Sequence, residues 1–192
     1  MFFDFAPVRT EAPTGDVVTL AEAKAHVRYD DSDQDAYITA LVAAAVGYLD
    51  GWTGVLGRAL LTQEWRQDFR GFSERLRLPM IATSVVSVTN GGDTVADTVY
   101  VLRRDHLGSY VTLKTDQSWP SVATGDAPVS VTFECGYGAA ADVPAPIKQW
   151  ILLTVGDWFR NRETGAVGAK AGEIPMSAGA RALLAAYSMR HI

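Results

Sequence analysis

The spacing of apolar residues changes twice along this chain, and that double change constrains the fold more than any other feature. Between Ile38 and Trp52 apolar side chains recur every three or four residues (Ile38, Leu41, Val42, Ala45, Tyr48, Leu49, Trp52), which predicts a helix over about 34–52. From Leu60 the period falls to two, with Leu61, Trp65 and Phe69 on one side and Glu64, Arg66, Asp68 and Arg70 on the other, so a sheet begins there. Pro144 and Pro146 then stand where a first helical turn tolerates proline. Behind them the longer period returns in Ile147, Trp150, Ile151, Val155, Trp158 and Phe159, predicting a helix over 145–162. Helical segments on both sides of a strand-rich middle predict an α+β chain: a small helical bundle with an inserted antiparallel β-sheet region and, last, a C-terminal docking helix.

The remaining elements follow from local chemistry. Thr19 and Glu22 have the spacing of a capping box and open a short helix over 20–28. Strand-like runs at 75–78, 84–89, 98–103, 109–114 and 128–135 are separated by turn-rich pieces such as Asn90-Gly91-Gly92-Asp93, and such short connections imply antiparallel pairing. Residues 163–176 (ETGAVGAKAGEIPM) are rich in Gly and Ala without apolar period and read as a mobile linker. A helix over 177–190 then places Ala180, Leu183, Leu184 and Tyr187 on one face, a stripe that needs either another chain or the helices predicted over 34–52 and 145–162 as its partner. One domain over 1–192 is predicted, with helical parts 19–57 and 144–162 and a β-rich insertion at 58–138.

Composition narrows the partners. The net charge is −5, so no global positive field exists to hold a nucleic acid by counterion release. The imbalance is local: residues 1–57 hold nine acids and three bases, residues 58–192 thirteen acids and fourteen bases. Cys135, the single cysteine, excludes an internal disulfide and a zinc site built on several thiolates, and it fits a reducing compartment. The uncharged run 36–49 is fourteen residues, short of the roughly 20 that cross a bilayer, so no membrane association is predicted. The opening MFFDFAP lacks a basic stretch and carries Asp4, which reads as a cytosolic product without signal or transit peptide.

Motifs that would carry chemistry fail on context. Asp31-Ser32-Asp33-Gln34-Asp35 imitates the start of an EF-hand loop, yet Ala36 stands where the turn requires Gly and Val42 where a bidentate Glu belongs. Those acids are predicted to serve the cap and dipole of the following helix. Gly136-Tyr137-Gly138-Ala139-Ala140-Ala141 fits a dinucleotide fingerprint, but the helix starts late, behind Pro144, and no strand ending in an acid lies about 20 residues on. A glycine turn from sheet to helix is predicted instead. Cys135 could pair with His26, His106 or His191, but no local signature surrounds it and packing suffices; Asp105-His106 reads as a solvated turn. Acid pairs such as Asp30 and Asp31 show no sign of a shared cleft. No catalytic, cofactor-binding or metal-binding residue is predicted, and the chain is not read as an enzyme.

The basic residues of the sheet region, Arg66, Arg70, Arg75, Arg77, Arg103 and Arg104, interleave with Glu64, Asp68, Glu74 and Asp105. Mixed signs suit a protein interface, and arginine forks pair with carboxylates across subunit boundaries. Asp30, Asp31 and Asp33 on the acidic third and Arg66, Arg70, Arg103 and Arg104 on the sheet are the candidates for a head-to-tail ring contact; a solvated strand face is the alternative.

Several stretches, taken in order, carry a resemblance. They are Val18-Thr19-Leu20-Ala21-Glu22-Ala23-Lys24, Asp35 to Trp52 leading into Thr53-Gly54-Val55-Leu56-Gly57-Arg58-Ala59-Leu60, and Val131-Thr132-Phe133-Glu134-Cys135-Gly136-Tyr137-Gly138 before Val143-Pro144. The helix closing at Arg160-Asn161-Arg162-Glu163 follows, then Ile174-Pro175-Met176 ahead of Ala182-Leu183-Leu184 and Tyr187. Over nearly its whole length the chain resembles the head-tail connector (adaptor) family of tailed bacteriophages, also found in phage-derived gene transfer agents, although its strand-rich middle is longer than in compact members. The resemblance implies a ring, commonly twelvefold, beneath the portal vertex, joining the DNA-filled head to the tail or a stopper protein. It implies a virion protein of the neck, assembled in the host bacterial cytoplasm, whose lumen passes DNA without binding it specifically. It also implies that residues 177–190 dock onto the portal, with Arg181, Leu183, Leu184, Tyr187 and Arg190 as candidates. A tail-side completion or stopper subunit is the neighbouring alternative, and a phage-encoded hydrolase the alternative of another class, which would need a convergent polar pocket.

Overall fold

The alternation that predicts a sheet is carried furthest by one strand. In a computed structural model, which describes residues 4–162 and 178–188, Val129, Val131, Phe133 and Cys135 all turn to one side and are buried, while Ser130, Thr132 and Glu134 between them are partly exposed. The described residues divide into two compact units, one formed by those up to Thr14 with Arg58–Gly138, the other by Gly15–Gly57 and the described residues from Ala139 onward.

The first unit is all β. Its strands are β1 (Val8–Glu11), β2 (Gln63–Phe69), β3 (Leu76–Arg77), β4 (Ala82–Asn90), β5 (Asp93–Val95), β6 (Tyr100–Asp105), β7 (Gly108–Leu113) and β8 (Val129–Cys135). They form a five-stranded sheet in the order β1-β2-β8-β4-β5 and a three-stranded sheet in the order β3-β7-β6, with every pairing antiparallel. β8 is central because it is apolar along one whole face: Phe133 sits opposite Trp65 and Val85, and Val131 opposite Gln67 and Val88. Each such fully buried apolar side chain contributes about 1.5–3 kcal/mol. Ser109, itself buried, joins the sheets, since its hydroxyl accepts from the Ala82 N–H and its carbonyl from that of Leu78.

Two strands escape the sequence reading. β1 lies in the Pro- and Gly-containing lead-in, and all four of its side chains are exposed, so no apolar alternation marks it; it is held as an edge strand by its backbone pairing to β2. β5 closes a two-residue hairpin with β4 through Gly91 and Gly92, both at positive φ, and is only three residues long. On β2 the predicted inward side also carries Gln63 and Gln67, which are more deeply buried than Trp65 and Phe69. Gln67 Nε2 donates to the carbonyl of Phe5 at 3.0 Å, which ties the lead-in to β2.

The strand-to-helix turn explains the glycine motif. Gly136 has φ +122°, and a Cβ on it would stand 2.2 Å from the Leu61 carbonyl oxygen, so only glycine fits. Tyr137 N–H donates to Leu60 O and Thr62 N–H to Gly138 O, which closes the turn onto the chain entering β2. These backbone groups pair with each other, as a structural turn requires.

The second unit is helical, with α1 (Leu20–Val27), α2 (Asp35–Leu49), a 3-10 turn over Ala140–Asp142, α3 (Ala145–Arg160) and α4 (Ala178–Ala185). The Thr19–Glu22 capping box is formed: Glu22 N–H donates to Thr19 Oγ1 and Thr19 N–H to the Glu22 carboxylate. Ile38, Val42, Ala45 and Leu49 make the buried stripe of α2, and Ile147, Trp150, Ile151 and Val155 that of α3. α1, α2 and α3 pack on one another, and α4 packs on α3. Gly156 lets α1 approach α3 closely, because a Cβ there would come within 3.2 Å of His26 Nε2. The linker predicted at 163–176 lies outside the described residues, as does Arg190; of α4 the side chains from Ala182 onward are described, which leaves out Arg181.

Candidate functional site

Of the four acids from Asp30 to Asp35, two are engaged by neighbouring side chains and two are not. Gln34 is the N-cap residue of α2 and makes no side-chain cap, so the predicted capping role of the preceding acids is not what the structure shows. Asp35 instead pairs with Lys24 of α1 at 2.6 Å. Asp33 accepts from the Tyr29 hydroxyl and from Gln34. The Tyr29 bond holds the Asp33 carboxyl below its ordinary range and pushes the Tyr29 phenol up to about 12. Asp30 and Asp31 are exposed and form no hydrogen bond or ion pair among the described residues. A cavity of about 510 Å³ opens beside them, lined by Leu20, Ala21, Lys24, Ala25, Tyr29 and Asp30.

The four arginines singled out from the sequence have different fates. Arg66 forks onto Asp68 of the same strand, at 2.9 and 3.2 Å. Arg70 pairs with Asp4 at 3.5 Å and lies over the Phe5 ring. Arg104 donates to the carbonyl of Ala82. Arg103 alone of the four makes no hydrogen bond or ion pair among the described residues, and it is exposed on β6.

Arg103 shares a face with a charged cluster that the sequence could not assemble. In the three-stranded sheet Arg77 stands opposite Tyr110, and Tyr110 opposite Arg103, so the three form one cross-strand row. The Arg75 and Arg77 guanidiniums lie over the Tyr110 ring at 5.1 and 5.2 Å from its centre. Arg77 also grips Asp105 with both terminal nitrogens, and Arg75 reaches the same carboxylate at 3.4 Å. The Arg77 hydrogen bonds hold the Asp105 carboxyl far below the ordinary carboxylate range, and those same bonds raise the Arg77 guanidinium.

Of the predicted docking residues α4 carries Arg181, Leu183 and Leu184, with Tyr187 just beyond its end, and Leu184 is buried within its own chain. Leu183 and Tyr187 are partly exposed, and the Tyr187 N–H bonds back to Leu184 O as the helix ends. Cys135 is buried with its thiol directed at the Gln63 carbonyl at 3.7 Å, whereas His106 is exposed on the β6–β7 hairpin, so the two are not brought together; His191 lies outside the described residues. Among the described residues no three His, Cys, Asp or Glu side chains converge as metal ligands, and no helix is long and apolar enough to cross a membrane.

No protein-family model matches the sequence, and no curated protein matches it. Solved structures do. The chain superposes on chains from three structures of gene transfer agent (GTA) particles: the neck of an empty particle computed with C6 symmetry (TM-score 0.75), the virion of a native particle (0.71) and the neck of a native particle computed with C12 symmetry (0.69). Each is 19% identical in sequence, and each match covers 98% of this chain and 97% of the other. At that identity the likeness establishes a shared fold over the whole chain, the inserted sheet included, and it agrees with the connector resemblance read from the sequence.

Proposed function

We propose that this chain is a structural neck protein of a phage-like particle, an adaptor subunit that forms a ring below the portal and joins the DNA-filled head to the tail or stopper. The observation that carries this reading is the end-to-end match of its fold to chains of GTA necks, two of them computed with C6 and C12 symmetry. A closed ring needs two unlike surfaces on each copy, and the chain offers an acidic loop on one unit and a basic sheet face on the other. The net charge of −5 suits a wall past which DNA slides, since an attractive wall would retard its passage.

In this reading residues 177–190 reach the portal, with Arg181, Leu183, Leu184, Tyr187 and Arg190 as anchors. Because Leu184 is buried within its own chain, docking through it requires α4 to leave α3, whereas Leu183 and Tyr187 are partly available without that step. Truncation after Gly172 tests the assignment. The shortened chain is expected to keep a cooperative melt and to lose co-sedimentation with the cognate portal. Undiminished portal binding would overturn the docking role, and binding to the stopper but never to the portal would move the chain to the tail side of the joint.

A further inference from the structure

Arg103 is a guanidinium left over. The other guanidiniums of this cluster are engaged, Arg77 by Asp105 and Tyr110, and Arg75 by Asp105, Tyr110 and, at 3.9 Å, Glu74. Three guanidiniums and two carboxylates therefore share this face, and the surplus positive charge resides on the strand at the outer edge of the three-stranded sheet. The engaged members are fixed by ring stacking and a two-pronged ion pair, whereas Arg103, with no partner of its own among the described residues, keeps its charge available to an incoming carboxylate. Beyond Arg103 the hairpin exposes Leu107, which gives the patch an apolar border.

The same chain carries a complement to this face. Asp30 and Asp31 follow α1 directly, exposed and without partners among the described residues, while their neighbours Asp33 and Asp35 are already engaged by Tyr29 and Lys24. Each copy thus presents an unpaired guanidinium on this face of its β unit and two unpaired acids in the loop that follows α1 on its helical unit. We infer that the Arg77–Tyr110–Arg103 face of one copy receives the Asp30–Asp31 loop of the next, as the head-to-tail contact of the ring. This rests on the ring reading above and specifies the contact within it. Such a contact is heterologous, so it propagates from copy to copy and closes only where the rotation allows. Its charged part weakens with salt, because screening shortens to about 3 Å at 1 M.

Charge reversal with mixing tests it. Sedimentation velocity at low salt on the full chain should show oligomers for the unaltered protein, and monomer for Arg103→Glu and for Asp30→Lys/Asp31→Lys, each keeping the parent melting curve. An equimolar mixture of the two variants should recover oligomers, because every contact in an alternating ring is then either the original pair or its reversed equivalent. Arg103→Glu that assembles like the parent overturns the inference, as does a mixture that stays monomeric. Either result leaves the ring itself standing if the parent chain assembles. A parent chain that stays monomeric at every concentration and in the presence of portal overturns the ring reading and this contact together.

Discussion

Arg77 and Asp105 meet fork to fork across the three-stranded sheet, Nη1 to Oδ1 at 2.7 Å and Nη2 to Oδ2 at 2.5 Å. Because these bonds hold the Asp105 carboxyl below its ordinary value of 3.8, the native state takes up that proton less readily than the unfolded chain. The pair's contribution is therefore complete above about pH 4 to 5 and is lost as pH falls through the lowered native value. Asp105→Asn should lower stability at neutral pH, and the deficit should shrink as the medium is taken toward pH 2. Urea unfolding at several pH values measures it, and a deficit constant with pH would mean that the carboxylate charge contributes nothing.

Gly136→Ala should be among the most damaging single substitutions in the β unit. The new methyl would press on the Leu61 carbonyl in a backbone conformation that L-residues rarely adopt. A loss of at least about 2 kcal/mol is expected, read from the shift in urea midpoint.

Phe133→Ala and Trp150→Ala each empty the centre of one unit, the first between β2 and β4, the second on the inner face of α3. Each should cost about 3–5 kcal/mol. Trp150→Ala also removes the ring on which the half-exposed Tyr48 stacks at 5.7 Å, so near-ultraviolet dichroism should change with it.

Leu184→Ala should loosen α4 selectively. Leu184 is the buried anchor of an eight-residue helix, and losing most of its side chain typically costs about 2–5 kcal/mol, enough to release so short an element. Amide exchange over 178–185 should accelerate while the α2 and α3 amides stay protected. Unchanged protection in α4 would show that Leu184 does not hold it.

Much of this architecture was legible in the sequence, for reasons that particular residues make plain. Thr19 and Glu22 define a local start that needs no tertiary help, and the stripes of α2 and α3 obey one period over fifteen and sixteen residues. β8 alternates over all seven positions. β1 was hidden because Val8, Arg9, Thr10 and Glu11 are all exposed and the strand exists only through its backbone partners. Gln63 and Gln67 were hidden because polar residues give no hydrophobic signal even when buried. The arginines illustrate the limit most clearly. Their number and alternation suggested an interface, but only strand register reveals that Arg66, Arg70 and Arg104 are satisfied at home while Arg103 joins Arg77 and Tyr110 in one row. The acids after α1 divide in the same way, since the engagement of Asp35 by Lys24 spans eleven residues.

Electron microscopy of the purified protein mixed with its cognate portal tests the central claim most directly. A closed ring seated on the portal, of a symmetry such as the C12 of the native GTA neck, is the expected image. Bare portals beside dispersed monomers, with the chain also missing from the necks of assembled particles, would contradict it.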